Sequence, residues 1–89
     1  MFAVAQAVFT MSMLARLFEA QCVLAMLNDT EPTIAELPEP IRELIMDEHN
    51  DEVSDLWFAT RRRVSNAAKY EVEHIDDWNF KATLVGFDL

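Results

Sequence analysis

Four carboxylates in the second half of the chain are spaced so that they could bind a metal ion. Glu48 and Glu52 are four residues apart, and Glu73 and Asp76 are three apart, so each pair would share one face of a continuous helix. Two such helices packed antiparallel would bring the pairs together into an oxygen-rich site, which suits the hard cations Mg²⁺ and Mn²⁺. An ion held there would polarise a phosphate and activate a water molecule.

The residues around these carboxylates resemble a known family, the all-α nucleoside triphosphate pyrophosphohydrolases or MazG-like proteins. Residues 45–53 are similar to the family's Glu-Glu-x-x-Glu motif, and residues 73–76 are similar to its later Glu-x-x-Asp motif. The proline-containing segments 31–33 and 37–44 also resemble the lead-in to the first motif in some members. The resemblance is concentrated in residues 14–58.

The resemblance implies Mg²⁺-dependent attack of water on the α-phosphate of a nucleoside triphosphate, with release of pyrophosphate. Glu48 and Glu52 would be the catalytic carboxylates, and together with Glu73 and Asp76 they would be the metal ligands. His49 stands where the family has its second Glu, and an imidazole suits Zn²⁺ or Fe²⁺ better than Mg²⁺. This departure leaves an inactive or repurposed relative open.

One basic cluster follows the first acidic motif. Under the resemblance, Arg61, Arg62 and Lys69 are the candidate phosphate-binding residues, with Arg63 beside them. The alternative is a solvated helix face that pairs with the acidic segment. We favour the alternative, because three consecutive arginines point in different directions on a helix.

The net charge of −9 is concentrated in one part of the chain. Residues 29–55 hold ten acids against a single base, Arg42, so this acidic segment carries the whole net charge. Such a charge argues against nucleic acid as a partner, whereas a cation, a basic partner protein and a DNA-mimic role stay open. Cys22 is the single cysteine, which excludes an intrachain disulfide and predicts a reducing, cytoplasmic location.

The first element is predicted to be a helix over residues 2–27, which contain no Gly or Pro. Arg16 and Glu19 interrupt its apolar stretch, so we expect no membrane span. Its apolar residues draw two seams at spacings of three and four. The first seam consists of Val4, Val8, Met11, Ala15, Phe18, Cys22 and Ala25, and the second of Phe9, Met13, Leu17, Ala20, Leu24 and Leu27.

A helix in so small a domain cannot easily bury two seams against its own chain, so one seam is predicted to meet another subunit of a homo-oligomer. The candidate interface residues are Val4, Val8, Met11 and Phe18. The alternative is a central helix wrapped on all sides by its own domain.

The rest of the chain is predicted to be an extended connector over 29–40 and a helical region over 41–80, followed by a short tail over 81–89. Pro40 suits the first position of the second helix. Residues 47–52 are either a break with Asp51 capping a new helix or the middle of a continuous one. The tail is either a last helical turn or a short edge strand. Together these elements predict one all-α domain of three to four helices, assembled as a helical-bundle dimer or higher oligomer.

Two functions fit these patterns. The first is a nucleotide pyrophosphohydrolase that acts on a nucleoside triphosphate with full or reduced activity. The second is a non-enzymatic acidic protein that inhibits or regulates a partner protein through its apolar helix. The first function requires the four carboxylates to converge on one point, whereas the second allows them to be scattered over the surface. The four are Glu48, Glu52, Glu73 and Asp76.

Overall fold

The computed structural model describes residues 10–49 and 51–89. Its elements are α1 (Met11–Leu27), α2 (Glu39–Met46), α3 (Asp51–Ala67), β1 (Ala68–His74) and β2 (Phe80–Phe87), with a 3₁₀ turn over Ile34–Glu36. The three helices form a body, which we call the helical body, and the two strands form an antiparallel hairpin, which we call the arm. The molecule is elongated, measuring 69 × 23 × 21 Å.

The arm shows that the predicted all-α fold is wrong. The helical region predicted over 41–80 ends at Ala67, and the chain continues as β1 without an intervening loop. Up to that point apolar residues recur at helical spacing, and α3 buries Val53, Trp57 and Val64 along one stripe. Beyond it the β-formers Tyr70 and Val72 alternate with glutamates, which is the two-residue period of a strand. For the tail, the strand alternative is confirmed in a longer form.

α1 begins at a capped end and buries one of its two seams in its own chain. The Thr10 hydroxyl accepts a hydrogen bond from the Met13 amide at 3.2 Å, satisfying a backbone donor that the helix leaves unpaired. Within the described part of α1 the first seam faces inward from Phe18 to Ala25, with Phe18 and Cys22 fully buried. The second seam faces outward, and its Leu24 and Leu27 are more than half exposed.

The connector and α2 follow the sequence prediction closely. Pro38 precedes α2 as its N-cap, and Pro40 occupies the second helical position rather than the first. α2 buries Ile41 and Ile45. α2 ends at Met46 with Asp47 as its C-cap, and α3 begins at Asp51. Of the two alternatives for residues 47–52, the structure therefore has the break and not the continuous helix.

The core lies where α1, α2 and α3 meet. The Phe18 and Trp57 rings pack edge to face, with centroids 5.3 Å apart and planes at 84°. Met26 of α1 and Tyr70 of β1 line one cavity further along the molecule. The remaining buried apolar residues close around the Phe18 and Trp57 pair; they are Leu14, Cys22, Ala25, Leu37, Ile41, Ile45, Val53 and Val64.

The arm is amphipathic because of its strand register. The register pairs Tyr70 with Leu84, Val72 with Ala82 and His74 with Phe80, and the polar residues Glu71, Glu73, Lys81 and Thr83 pair on the opposite side. We call these two sides the apolar face and the polar face. Val85 is an extra residue in β2 that forms a bulge opposite Lys69 and Tyr70. No helix within the described residues is both long enough and apolar enough to cross a membrane.

Candidate functional site

The first predicted carboxylate pair is not on one helix. Glu48 lies in the turn between α2 and α3, whereas Glu52 lies in the first turn of α3, and both are exposed. The turn is fixed locally, since the Asp47 carboxylate accepts a hydrogen bond from the His49 amide at 2.9 Å. The four-residue spacing therefore does not place Glu48 and Glu52 on the shared helical face that the sequence predicted.

The second pair lies on the arm. Glu73 is on the polar face of β1, opposite Lys81. Asp76 is in the turn at the end of the arm, where its carboxylate accepts hydrogen bonds from the Trp78 amide at 2.8 Å and the Asn79 amide at 2.9 Å. The Asn79 side-chain amide also donates to it, and these bonds lower the pKa of Asp76 from its ordinary value of 3.8.

The two pairs occupy opposite ends of the molecule. Glu52 lies in the first turn of α3 and the arm follows the last residue of this helix. Most of the length of the 17-residue helix, about 25 Å in total, therefore lies between the two pairs. Among residues 10–49 and 51–89, no three or more His, Cys, Asp or Glu side chains are grouped so as to hold a metal ion. The described chain on its own does not assemble the Mg²⁺ site implied by the resemblance.

The basic residues gather at the junction of α3 and β1, which we call the base of the arm. Arg61 forms an ion pair with Glu31 at 2.5 Å, and Arg63 forms one with Glu19 at 2.6 Å. Arg62 is exposed and has no ion pair within the described ranges. The pair of Arg61 with Glu31 fits the reading of a solvated face facing the acidic segment. Lys69 is exposed on the polar face of the arm.

The predicted interface residues are placed unequally. Phe18 is fully buried within its own chain, packed on Trp57, and is not available to a second subunit. Met11 is 43% exposed at the start of α1. Val4 and Val8 lie outside the described residues. The outward apolar seam of α1 is the second one, and whether a subunit covers it stays a prediction.

Cys22 is part of the core rather than a nucleophile. Its side chain is buried beside Phe18. Burial raises the pKa of the Cys22 thiol, while the neighbouring Arg61 and Arg63 lower it in part. The thiolate form needed for chemistry is therefore disfavoured in the folded state.

Sequence reasoning missed the arm as a β-hairpin. Its signal was present, since Tyr70 and Val72 before the turn and Phe80, Ala82 and Leu84 after it all fall on alternate positions. The residues between them, Asp76-Asp77-Trp78-Asn79, are of the types that form turns around an aspartate cap. Because the helical spacing of apolar residues was extended past Ala67, the same residues were predicted to belong to a helical region and a tail.

Comparison of this chain with family models, with curated proteins and with solved structures found no match to any of them.

Proposed function

We propose that this chain is a non-enzymatic binding protein that recognises a basic surface on a partner protein. One observation carries the proposal. The exposed acids around the α2–α3 turn are grouped at one end of the helical body, far from the second pair of carboxylates that a catalytic metal site would need.

The acidic end of the body consists of α2, the turn after it and the first part of α3. Its exposed acids are Glu39, Glu43, Asp47, Glu48, Asp51, Glu52 and Asp55. Within the described residues, the ion pairs present involve Glu19 and Glu31 and none of these seven. The one base in the acidic segment, Arg42, donates instead to the carbonyl oxygen of Ala35 at 3.2 Å. The acidic end thus presents uncompensated negative charge to solvent.

Uncompensated charge of one sign attracts a partner of the opposite sign and speeds its association. A nucleic-acid backbone would be repelled. Lysine and arginine side chains on a protein surface would be attracted, and each contact would be weakened by salt. The partner that fits the acidic end is a protein with an exposed cluster of basic residues.

The proposal is tested by titrating the protein with a labelled oligolysine peptide and following fluorescence anisotropy. We expect the variant carrying Glu48→Gln, Asp51→Asn, Glu52→Gln and Asp55→Asn to bind at least about tenfold more weakly than the unchanged chain. The matched control neutralises four acids elsewhere, with Asp29→Asn, Glu71→Gln, Glu73→Gln and Asp88→Asn. Equal weakening in both variants would show that only net charge matters and would refute the assignment to the acidic end.

The pyrophosphohydrolase reading makes a separate prediction. If the chain is an enzyme, Mg²⁺ or Mn²⁺ binds with measurable heat, and nucleoside triphosphates release pyrophosphate. Both signals would be lost in Glu48→Gln and in Glu52→Gln. Observing both signals in the unchanged chain, and their loss in the two variants, would overturn the non-enzymatic proposal. We expect the two variants to behave like the unchanged chain in both measurements.

A further inference from the structure

We propose that the arms of two copies of this chain pack against each other antiparallel, with the tip of each arm on the base of the other. The proposal concerns the end of the molecule opposite the acidic end, and it does not depend on the partner proposed for that end.

The apolar face of the arm needs a cover. Tyr70 is 52% exposed, Val72 56% and Phe80 65%, so the face is open to solvent in the single chain. An isolated two-stranded hairpin is marginally stable in water. Contiguous exposed apolar side chains of this kind mark a contact surface.

Charge complementarity identifies a second copy as the cover. The tip of the arm carries the acids Asp76 and Asp77, and Arg62 near the base is exposed and has no ion pair within the described ranges. Antiparallel packing of two arms brings the acidic tip of each copy to Arg62 of the other. Parallel packing would place two acidic tips together, which like-charge repulsion disfavours. Antiparallel arms also hold the two acidic ends at opposite extremes of the dimer.

The tip carries an anchor suited to this contact. Trp78 is 92% exposed, and Asp76 fixes its backbone by accepting from its amide at 2.8 Å. An open depression of about 330 Å³ runs along α3 from its middle toward the base and is lined by Phe58, Arg61, Arg62, Ser65 and Asn66. An indole is attracted to a guanidinium group and to an aromatic ring, so the depression on one copy suits Trp78 of the other.

The available area agrees with a reciprocal contact. A fully buried aromatic side chain covers about 150–250 Å², so the exposed parts of Tyr70, Phe80 and Trp78 offer on the order of 300–500 Å². A standard interface takes about 800 Å² from each partner. One arm face alone falls short of that. The exposed aliphatic residues Val72 and Ile75, and the base that each copy also contributes, add to this area.

The test is sedimentation equilibrium of the whole chain over a wide concentration range. We expect a monomer–dimer equilibrium whose dissociation constant rises at least about tenfold in Trp78→Ala, because exposed aromatic anchors dominate interfaces. Met46→Ala is the matched control, since Met46 is 71% exposed on α2, away from the arm. It should leave the dimer unchanged.

Charge exchange makes the test specific for tip-to-base packing. Arg62→Glu and Asp77→Lys should each weaken the dimer about tenfold, and the double variant should return to within about threefold of the unchanged chain. Circular dichroism of each variant shows whether it is folded, and both residues are exposed. A chain that stays monomeric at every concentration would refute the proposal. So would a dimer that is lost in Leu24→Ser, on the outward seam of α1, but is retained in the arm variants.

Discussion

The helical body and the arm both contain many large apolar residues, yet they place them oppositely. In the body, Phe18 and Trp57 are no more than 2% exposed and pack on each other. In the arm, Phe80 and Trp78 are mostly exposed. The body therefore completes its hydrophobic core within one chain, and the arm does not. The difference separates the part of the molecule whose apolar residues form a core from the part whose apolar face is uncovered in the single chain.

The two regions are joined rigidly, since α3 passes directly into β1. The Asp88 amide donates to the carbonyl oxygen of Ala67 at 2.8 Å, tying the end of β2 to the end of the helix. Phe87 packs against the core at the same point. The arm is thus held at its base, and the contrast between the regions begins within a few residues of Ala67.

The largest expected difference between the regions concerns the two tryptophans. Trp57→Ala removes a buried indole and should lower the free energy of unfolding by about 3–5 kcal/mol. Trp78→Ala, measured at concentrations where the chain is monomeric, should change it by less than about 0.5 kcal/mol. Urea unfolding followed by circular dichroism measures both. A large loss in Trp78→Ala would contradict the division between body and arm.

The body should lose stability at high pH through Cys22. Burial raises the pKa of this thiol above its ordinary value of 9.0, so the folded state holds the proton more tightly than the unfolded state. The contribution of the protonated thiol to the free energy of unfolding is fully present below pH about 9 and is lost as pH rises through the raised pKa. Urea unfolding of the unchanged chain and of Cys22→Ala at neutral and alkaline pH measures it. The decline should be smaller in Cys22→Ala, and parallel declines would argue against the effect.

The turn at the end of the arm should lose stability at low pH through Asp76. Hydrogen bonds from Asn79 and from the Trp78 amide lower the pKa of this exposed carboxyl below 3.8. Its support of the turn is present above pH about 4 and is lost as pH falls through the lowered pKa. Asp76→Ala should speed hydrogen exchange of the Trp78 and Asn79 amides and leave the amides of α3 unchanged. Asp76→Asn keeps an acceptor oxygen, so the exchange rates of these two amides should lie between those of the unchanged chain and those of Asp76→Ala.

The smallest effect is expected at Gly86, beside the bulge of β2. A Cβ atom added there would meet no heavy atom within 4 Å, and the residue does not have a positive φ. Gly86→Ala should raise the free energy of unfolding by about 0.4–1 kcal/mol, because it restricts the unfolded chain. Thermal unfolding measures the gain. A loss of stability would show that the bulge needs glycine.

The helical body was largely predictable from sequence. The apolar spacing in α1 and α3 and the prolines of the connector are local signals, and the described part of the body follows them. The break over residues 47–52 was one of two alternatives that local pattern did not separate. The candidate metal site was not predictable in the same way. Glu48 and Glu52 match a motif by spacing alone, and spacing has meaning only if the helix is continuous between them.

The sequence by itself determined the concentration of charge in residues 29–55, the inward stripe of α3 and the absence of a cysteine pair. These depend on residue type and on periods of three to four residues. Only the tertiary structure decided which seam of α1 is buried, how far Glu52 lies from Asp76, and that Tyr70 and Phe80 share an uncovered face. Those outcomes depend on how elements that are distant in sequence pack together. The short apolar runs after Ala67 are compatible with either a strand or a helix until their packing partners are known.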